Sequence, residues 1–179
     1  MINAKHRRWL QWSLFLALAA VCAWVVFKGE ATPKPPAIGD IAPDFILNTL
    51  DGESVKLQDY RASKQPVLIN FWASWCTPCV NELPMINEAY KHTEGVEVLA
   101  VNVGESLEKV NRFMERYELT FPVLMDGQQE VKKQYSVTGL PLSLLLDRDG
   151  RIVDIVSGEM TFDEMMRLLA TLARFPQSK

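Results

Sequence analysis

The spacing of two cysteines, Cys76 and Cys79, constrains this chain more than any other feature of its sequence. They follow an apolar run at 67–72, which is typical of a buried strand, and they precede a helix-like segment at 80–92. A cysteine pair between a strand and a helix is typical of a thiol–disulfide redox site. The helix start offers unpaired N–H groups and a partial positive charge, and both would stabilise a thiolate on Cys76. The sequence therefore predicts a dithiol that closes into a small disulfide ring and reopens.

A zinc site is the main alternative interpretation of such a pair, and it needs about four ligands. The remaining candidate ligands are Cys22, in an apolar run near the N-terminus, and two histidines, His6 and His92. Because no second pair of ligands accompanies the cysteines, the sequence favours redox chemistry. We expect no metal and no cofactor other than a redox-active Cys76–Cys79 disulfide.

The N-terminal part of the chain has the pattern of a membrane signal-anchor. Residues 1–8 include three basic residues, and residues 9–27 include no charged residue. As a helix, the second segment would span roughly 28 Å, about the thickness of a bilayer's hydrocarbon core. The preceding basic residues predict a cytoplasmic N-terminus and an extracytoplasmic remainder. A cleaved signal peptide is the alternative, but the apolar run continues to Phe27, which favours an uncleaved anchor.

A proline-rich segment, 28–37, predicts a stiff tether between this anchor and a domain at 38–179. Residues 35–179 contain 14 Lys and Arg but 21 Asp and Glu. A domain of this charge, without a basic patch, does not suggest nucleic-acid binding.

The domain pattern alternates strands with helices and ends in a hairpin and a helix, which predicts an α/β fold with a mixed sheet. A first hairpin, 41–50 with 54–57, turns across Asp51 and Gly52. The other predicted strands are 67–72, 96–103, 123–126, 142–147 and 152–157. The predicted helices after 80–92 are 107–117, capped by Ser106, then 129–135 and 162–174.

Several short motifs resemble one known family. Residues 71–79, FWASWCTPC, resemble the active site of the thioredoxin fold, and residues 138–141, TGLP, resemble its cis-proline loop. Residues 42–45, APDF, resemble the opening of an extracytoplasmic branch that includes peroxiredoxin-like domains. With Glu82-Leu83-Pro84 and the predicted anchor, the chain resembles the TlpA/ResA/DsbE-like family over residues 38–175, and within it the ResA-type proteins.

This resemblance implies a thioredoxin-like fold with an N-terminal β-hairpin extension. It also implies a thiol–disulfide oxidoreductase that is tethered outside the cytoplasm and reduces apocytochrome c during cytochrome c maturation. Such a reductant needs electrons from the membrane, so the resemblance implies a CcdA- or DsbD-like donor as a partner.

The roles of individual residues follow from the motif and from the resemblance. Cys76, at the helix start, is expected to be the exposed nucleophile, and Cys79 the buried residue that resolves the mixed disulfide. Trp75 is expected to border a substrate groove, whereas Trp72 fits the core. The resemblance implies that Leu140 and Pro141 are joined by a cis bond, which would expose the backbone to a substrate segment. The sites expected to bind substrate are Trp75, Pro78, Leu140 and Pro141.

Glu82 is the remaining candidate for catalysis. Thioredoxins carry a buried aspartate where this chain has Asn70, which cannot take a proton. Glu82 lies three residues after Cys79, on the same helix face, and resembles the active-site glutamate of ResA-type proteins. Burial near sulfur would raise its pKa and make it a proton acceptor for Cys79. The alternative is a solvated carboxylate on the helix surface.

The residues leave other functions open. The chain could be an exported thioredoxin-like protein with another substrate, such as a sporulation or envelope protein, or a thiol oxidant. A peroxidase is disfavoured because the segment before Cys76 lacks the proline that peroxiredoxins place there. A peptide-binding module without redox turnover is a further alternative.

Overall fold

The computed structural model of the protein describes residues 4–27 and 34–174, which belong to two units, Met1–Thr32 and Pro33–Lys179. Helix α1 (Ala4–Phe27) forms the described part of the first unit. Within the described residues, no helix is both long and apolar enough for a membrane crossing, so the transmembrane span predicted over 9–27 is not confirmed. Most of the predicted tether, 28–37, lies outside the described residues.

The second unit is built on a mixed sheet, whose seven described strands have the order β2-β1-β5-β4-β3-β6-β7. The strands are β1 (Ile46–Thr49), β2 (Ser54–Lys56), β3 (Val67–Trp72), β4 (Glu97–Val103), β5 (Val123–Asp126), β6 (Leu142–Leu146) and β7 (Ile152–Ser157). The inner strand β3 pairs parallel with β4 and antiparallel with β6. Five further helices accompany them: α2 (Leu57–Ala62), α3 (Thr77–Lys91), α4 (Leu107–Tyr117), α5 (Glu130–Gln134) and α6 (Phe162–Arg174).

Strand β3 is buried along its whole length because both faces of the sheet are covered. Since side chains alternate along a strand, Leu68 and Trp72 join one apolar cluster, and Ile69 and Phe71 join the other. The first cluster also contains both active-site cysteines and buried residues of α3, α4 and α6. The buried end of β3 therefore holds the start of the loop that follows Trp72 in a fixed position.

The predicted helix at 80–92 in fact begins at Thr77, because Cys76 is its N-cap, and it continues through Pro84. The strand predicted from residue 41 is wrong in its first half. Ile41 forms only an isolated bridge to Arg151, and β1 begins at Ile46. The predicted strand at 67–72 and the predicted helices at 107–117 and 162–174 match the structure.

Candidate active site

The Cys76–Cys79 pair forms a disulfide where β3 ends and α3 begins. Cys76 is the N-cap of α3, and its Sγ accepts a hydrogen bond of 3.3 Å from the backbone N–H of Cys79. Pro78 lies in the first turn, where a missing N–H costs no helical hydrogen bond. After reduction, the same N–H and the helix dipole favour a thiolate on Cys76.

The two cysteines differ in exposure in the predicted order, but by little. Cys76 is 6% exposed and Cys79 is 1% exposed. The expectation of an exposed Cys76 is therefore wrong for the disulfide form, because both cysteines pack into the cluster that contains Trp72. The neighbouring Trp75 is 65% exposed, so it marks the accessible edge of the site.

Glu82 is buried on the same helix as Cys79, and it is only 1% exposed. Neither of its carboxylate oxygens has a hydrogen-bond partner among the described residues. Burial, helped by the negative charge of Glu159, raises the pKa of Glu82 to about 8. The predicted burial and the predicted direction of the pKa shift are confirmed, and the solvated-helix alternative is wrong.

A cis peptide bond joins Leu140 to Pro141, as the resemblance implied. Leu142, the next residue, opens β6 opposite Phe71 of β3. The proline loop and the cysteine loop therefore lie beside each other at one end of the sheet. Pro141 is buried and Leu140 is half-buried. The substrate-binding roles of Trp75, Pro78, Leu140 and Pro141 stay predictions.

Glu105, which the sequence did not single out, bonds directly to the loop before Cys76. Its carboxylate accepts hydrogen bonds from the Ser74 N–H at 2.6 Å and from the Ser74 hydroxyl at 2.7 Å. Asn102 donates at 2.8 Å, and the Lys109 ammonium lies at 2.6 Å. An acidic residue between a strand and a helix cap was the available signal, but the sequence gives no sign of a partner 31 positions earlier.

Comparison with known proteins agrees with this geometry. A model of the AhpC/TSA family matches residues 38–155. The chain is 39% identical over 174 residues to the thiol-disulfide oxidoreductase ResA of Geobacillus kaustophilus, covering 96% of this chain and 99% of the relative. It is 35% identical over 163 residues to ResA of Bacillus subtilis, covering 89% and 90%.

The chain belongs to the ResA-type thiol-disulfide oxidoreductases of the AhpC/TSA family. Its fold is similar to that of a Chlorobium tepidum protein described as thiol:disulfide interchange protein DsbE. The TM-score is 0.69 and the identity 31%, covering 77% of this chain and 99% of that one. StoA of Bacillus subtilis is similar with a TM-score of 0.63 and 28% identity, covering 72% and 97%. The predicted mixed α/β thioredoxin-like fold and the predicted enzyme class are confirmed.

Proposed function

We propose that this ResA-type enzyme reduces protein disulfides outside the cytoplasm, and that apocytochrome c is its substrate. Glu82 carries the argument for reduction. A thiol–disulfide enzyme is a strong oxidant when its reduced form is stabilised, chiefly by a stable thiolate. A buried carboxyl group without a hydrogen-bond partner, near Cys79, gives an anion on that sulfur no such stabilisation. The reduced, dithiol form is then less stabilised relative to the disulfide form, and an enzyme with that balance tends to donate electrons to its substrate.

The reaction runs in two exchanges. The Cys76 thiolate attacks one sulfur of the substrate disulfide, which breaks that bond, forms a mixed disulfide and releases a substrate thiolate that takes a proton from water. Cys79 then loses its proton to the Glu82 carboxylate and attacks the Cys76 sulfur. The mixed disulfide breaks as the Cys76–Cys79 disulfide closes, and the second substrate sulfur leaves as a thiolate that takes up the proton from Glu82. Two electrons have passed to the substrate, and a membrane dithiol donor of the CcdA or DsbD class returns the enzyme to its reduced form.

The surroundings of the cysteines favour a polypeptide substrate. Trp75 offers an exposed aromatic surface beside Cys76. A cleft of about 770 Å³ also adjoins the loop at Ser74, and Val80, Phe113 and Tyr117 contribute to its lining. Charged side chains of α4 line the rest of this cleft, and its size accommodates several side chains of an extended segment. The choice of apocytochrome c rests on the family resemblance in the sequence motifs.

The proposed location rests on the sequence of the N-terminal part. A basic segment followed by an uncharged apolar run at 9–27 is the pattern of a signal-anchor with the domain outside. This location would also explain the need for electrons from a membrane donor.

A deletion strain tests the proposal. Loss of the gene should remove covalently bound haem from the membrane c-type cytochromes, and the wild-type gene should restore it. A Cys76→Ser/Cys79→Ser variant should not restore it, whereas a small thiol added to the medium should bypass the deletion. If a thiol oxidant bypasses the deletion instead, the direction is reversed. Normal cytochromes in the deletion strain would exclude this substrate, and rescue by the double variant would exclude redox turnover.

A further inference from the structure

Glu105 connects the active-site loop to a different part of the fold. It lies between β4 and α4, and its side chain is 3% exposed. Both of its oxygens accept from Ser74, one from the backbone N–H and the other from the hydroxyl. Ser74 is two residues before Cys76, so this contact acts on the chain that delivers the nucleophile.

The chain from Ala73 to Cys76 forms a β-turn, closed by a 3.1 Å hydrogen bond from the Cys76 N–H to the Ala73 carbonyl. Ser74 and Trp75 are its two central residues. Since Trp75 is 65% exposed, it contributes little packing that could hold the turn. The two hydrogen bonds that Glu105 accepts from Ser74 therefore hold the turn in place.

We propose that Glu105 is a positioning residue, which clamps the turn at Ser74 so that Cys76 keeps its place at the N-terminus of α3. In that place, the Cys76 sulfur accepts the Cys79 N–H at 3.3 Å. If the turn relaxes, this hydrogen bond is populated less, and the thiolate of the reduced enzyme loses part of its stabilisation. Glu105 thereby sets the reactivity of Cys76 without touching the substrate.

The clamp works through geometry, not through the charge of Glu105. Burial acts to raise the pKa of Glu105, but hydrogen bonds from Lys109, Ser74 and Asn102 outweigh it, so that the pKa falls below its usual range. The group is thus a carboxylate at neutral pH, paired with the Lys109 ammonium at 2.6 Å. A negative charge near the cysteines would oppose thiolate formation and so raise the Cys76 pKa. Removal of the Glu105 carboxylate would therefore lower the Cys76 pKa if its charge dominated, and raise it if the clamp on the turn dominates.

The test measures the pKa of Cys76 in the reduced, full-length protein, from the pH dependence of iodoacetamide alkylation. Mass spectrometry at the level of peptides separates Cys76 from the free cysteine Cys22, and fragment ions separate it from Cys79 on the same peptide. Glu105→Gln keeps the shape but replaces one accepting oxygen by an amide nitrogen, so the clamp is weakened. We expect the Cys76 pKa to rise by about 0.5 to 1 unit, a roughly three- to tenfold smaller thiolate fraction below the pKa. The control is Glu108→Gln. It breaks an exposed ion pair between Glu108 and Arg112, both on α4, and it should leave the Cys76 pKa unchanged.

Ser74→Ala provides a second, milder variant, because it removes only the hydroxyl contact and keeps the backbone N–H. It should raise the Cys76 pKa by less than Glu105→Gln, and the double variant should add little to Glu105→Gln alone, since both act through one contact. A lower Cys76 pKa in Glu105→Gln would show that charge dominates and would overturn the proposal. An unchanged pKa with a lower melting temperature would reduce Glu105 to a structural residue. Fully additive effects of the two substitutions on the pKa would show that Glu105 does not act through Ser74 and would also overturn the proposal.

Discussion

Glu82 lies three residues beyond Cys79 on the buried face of α3, and neither oxygen of its carboxyl group has a hydrogen-bond partner within the described chain. Its pKa of about 8 is close to the ordinary pKa of a thiol, about 8.5. Two groups with similar pKa values exchange a proton at little cost in free energy. This match is the physical basis for proposing that Glu82 moves the Cys79 proton.

Replacing Glu82 by Gln should slow disulfide exchange, because the variant keeps the shape but cannot accept a proton. The rate of mixed-disulfide resolution in the wild type should rise with pH up to about 8, as the carboxylate forms. The variant should lose this inflection and fall in rate by up to the 10²–10⁴-fold that positioned bases typically contribute. Stopped-flow kinetics across pH 5–9 would measure both effects. Glu88→Gln, an exposed change on the same helix, is the matched control and should behave like the wild type. An unchanged profile in the Glu82 variant would remove this residue from the mechanism.

The stability of the oxidised enzyme should fall as pH rises. The folded protein holds the Glu82 proton up to about pH 8, whereas the unfolded chain releases it near 4.5. The folded state therefore binds more protons across this window. The contribution of Glu82 to the free energy of unfolding is fully present below its unfolded pKa, and it is lost as the pH rises through the folded pKa of about 8. The upper limit is on the order of 4–5 kcal/mol. Urea titrations at several pH values would show the slope, and Glu82→Gln should flatten it. An equally steep slope in that variant would assign the effect elsewhere.

The two cysteines should differ when one of them is removed. Cys79→Ser should trap a mixed disulfide through Cys76, because the resolving thiol is missing. Cys76→Ser should trap little, since Cys79 lies within the first turn of α3 and is the less exposed of the two cysteines. Non-reducing gels with a disulfide-containing peptide would detect the adduct. Equal trapping by both variants would contradict the assignment of attacker and resolver, and trapping by Cys76→Ser alone would reverse it.

Much of the fold follows from local sequence patterns. The continuous apolar run of β3 predicts a strand buried on both faces, and Ser106 predicts the start of α4, where its hydroxyl accepts from Lys109. The segment around Ile41 was predicted wrongly because its bonds are long-range. The Gly39 N–H donates to Ile152, and the Ala42 N–H donates to Gly150. A single sequence carries no local signal for such contacts.

The same distinction divides the site. Cys76, Cys79 and Glu82 lie on one helix, so their spacing alone places them together. Glu105 and Glu159 reach the site from distant loops, and only the folded chain brings them to Ser74 and Glu82. The low exposure of Cys76 is also a tertiary effect, because it depends on packing against the cluster that contains Trp72.

The proposed location predicts a simple topology. In intact spheroplasts, added protease should digest the domain, and the full-length protein should sediment with the membranes. We expect this topology because a basic segment and an uncharged apolar run precede the domain. A cytoplasmic protein serves as the control for leakage. A domain protected from protease, or full-length protein free in the medium, would contradict the predicted anchor.

The reduction potential of the Cys76–Cys79 pair tests the central claim, that this enzyme is a reductant. It is measured by equilibrating the purified protein with glutathione or dithiothreitol buffers and quantifying the disulfide. Because the unpartnered, buried Glu82 gives no stabilisation to a thiolate on Cys79, we predict a potential at or below that of thioredoxin, about −270 mV. A potential near about −120 mV, the value of a strong oxidant, would contradict it.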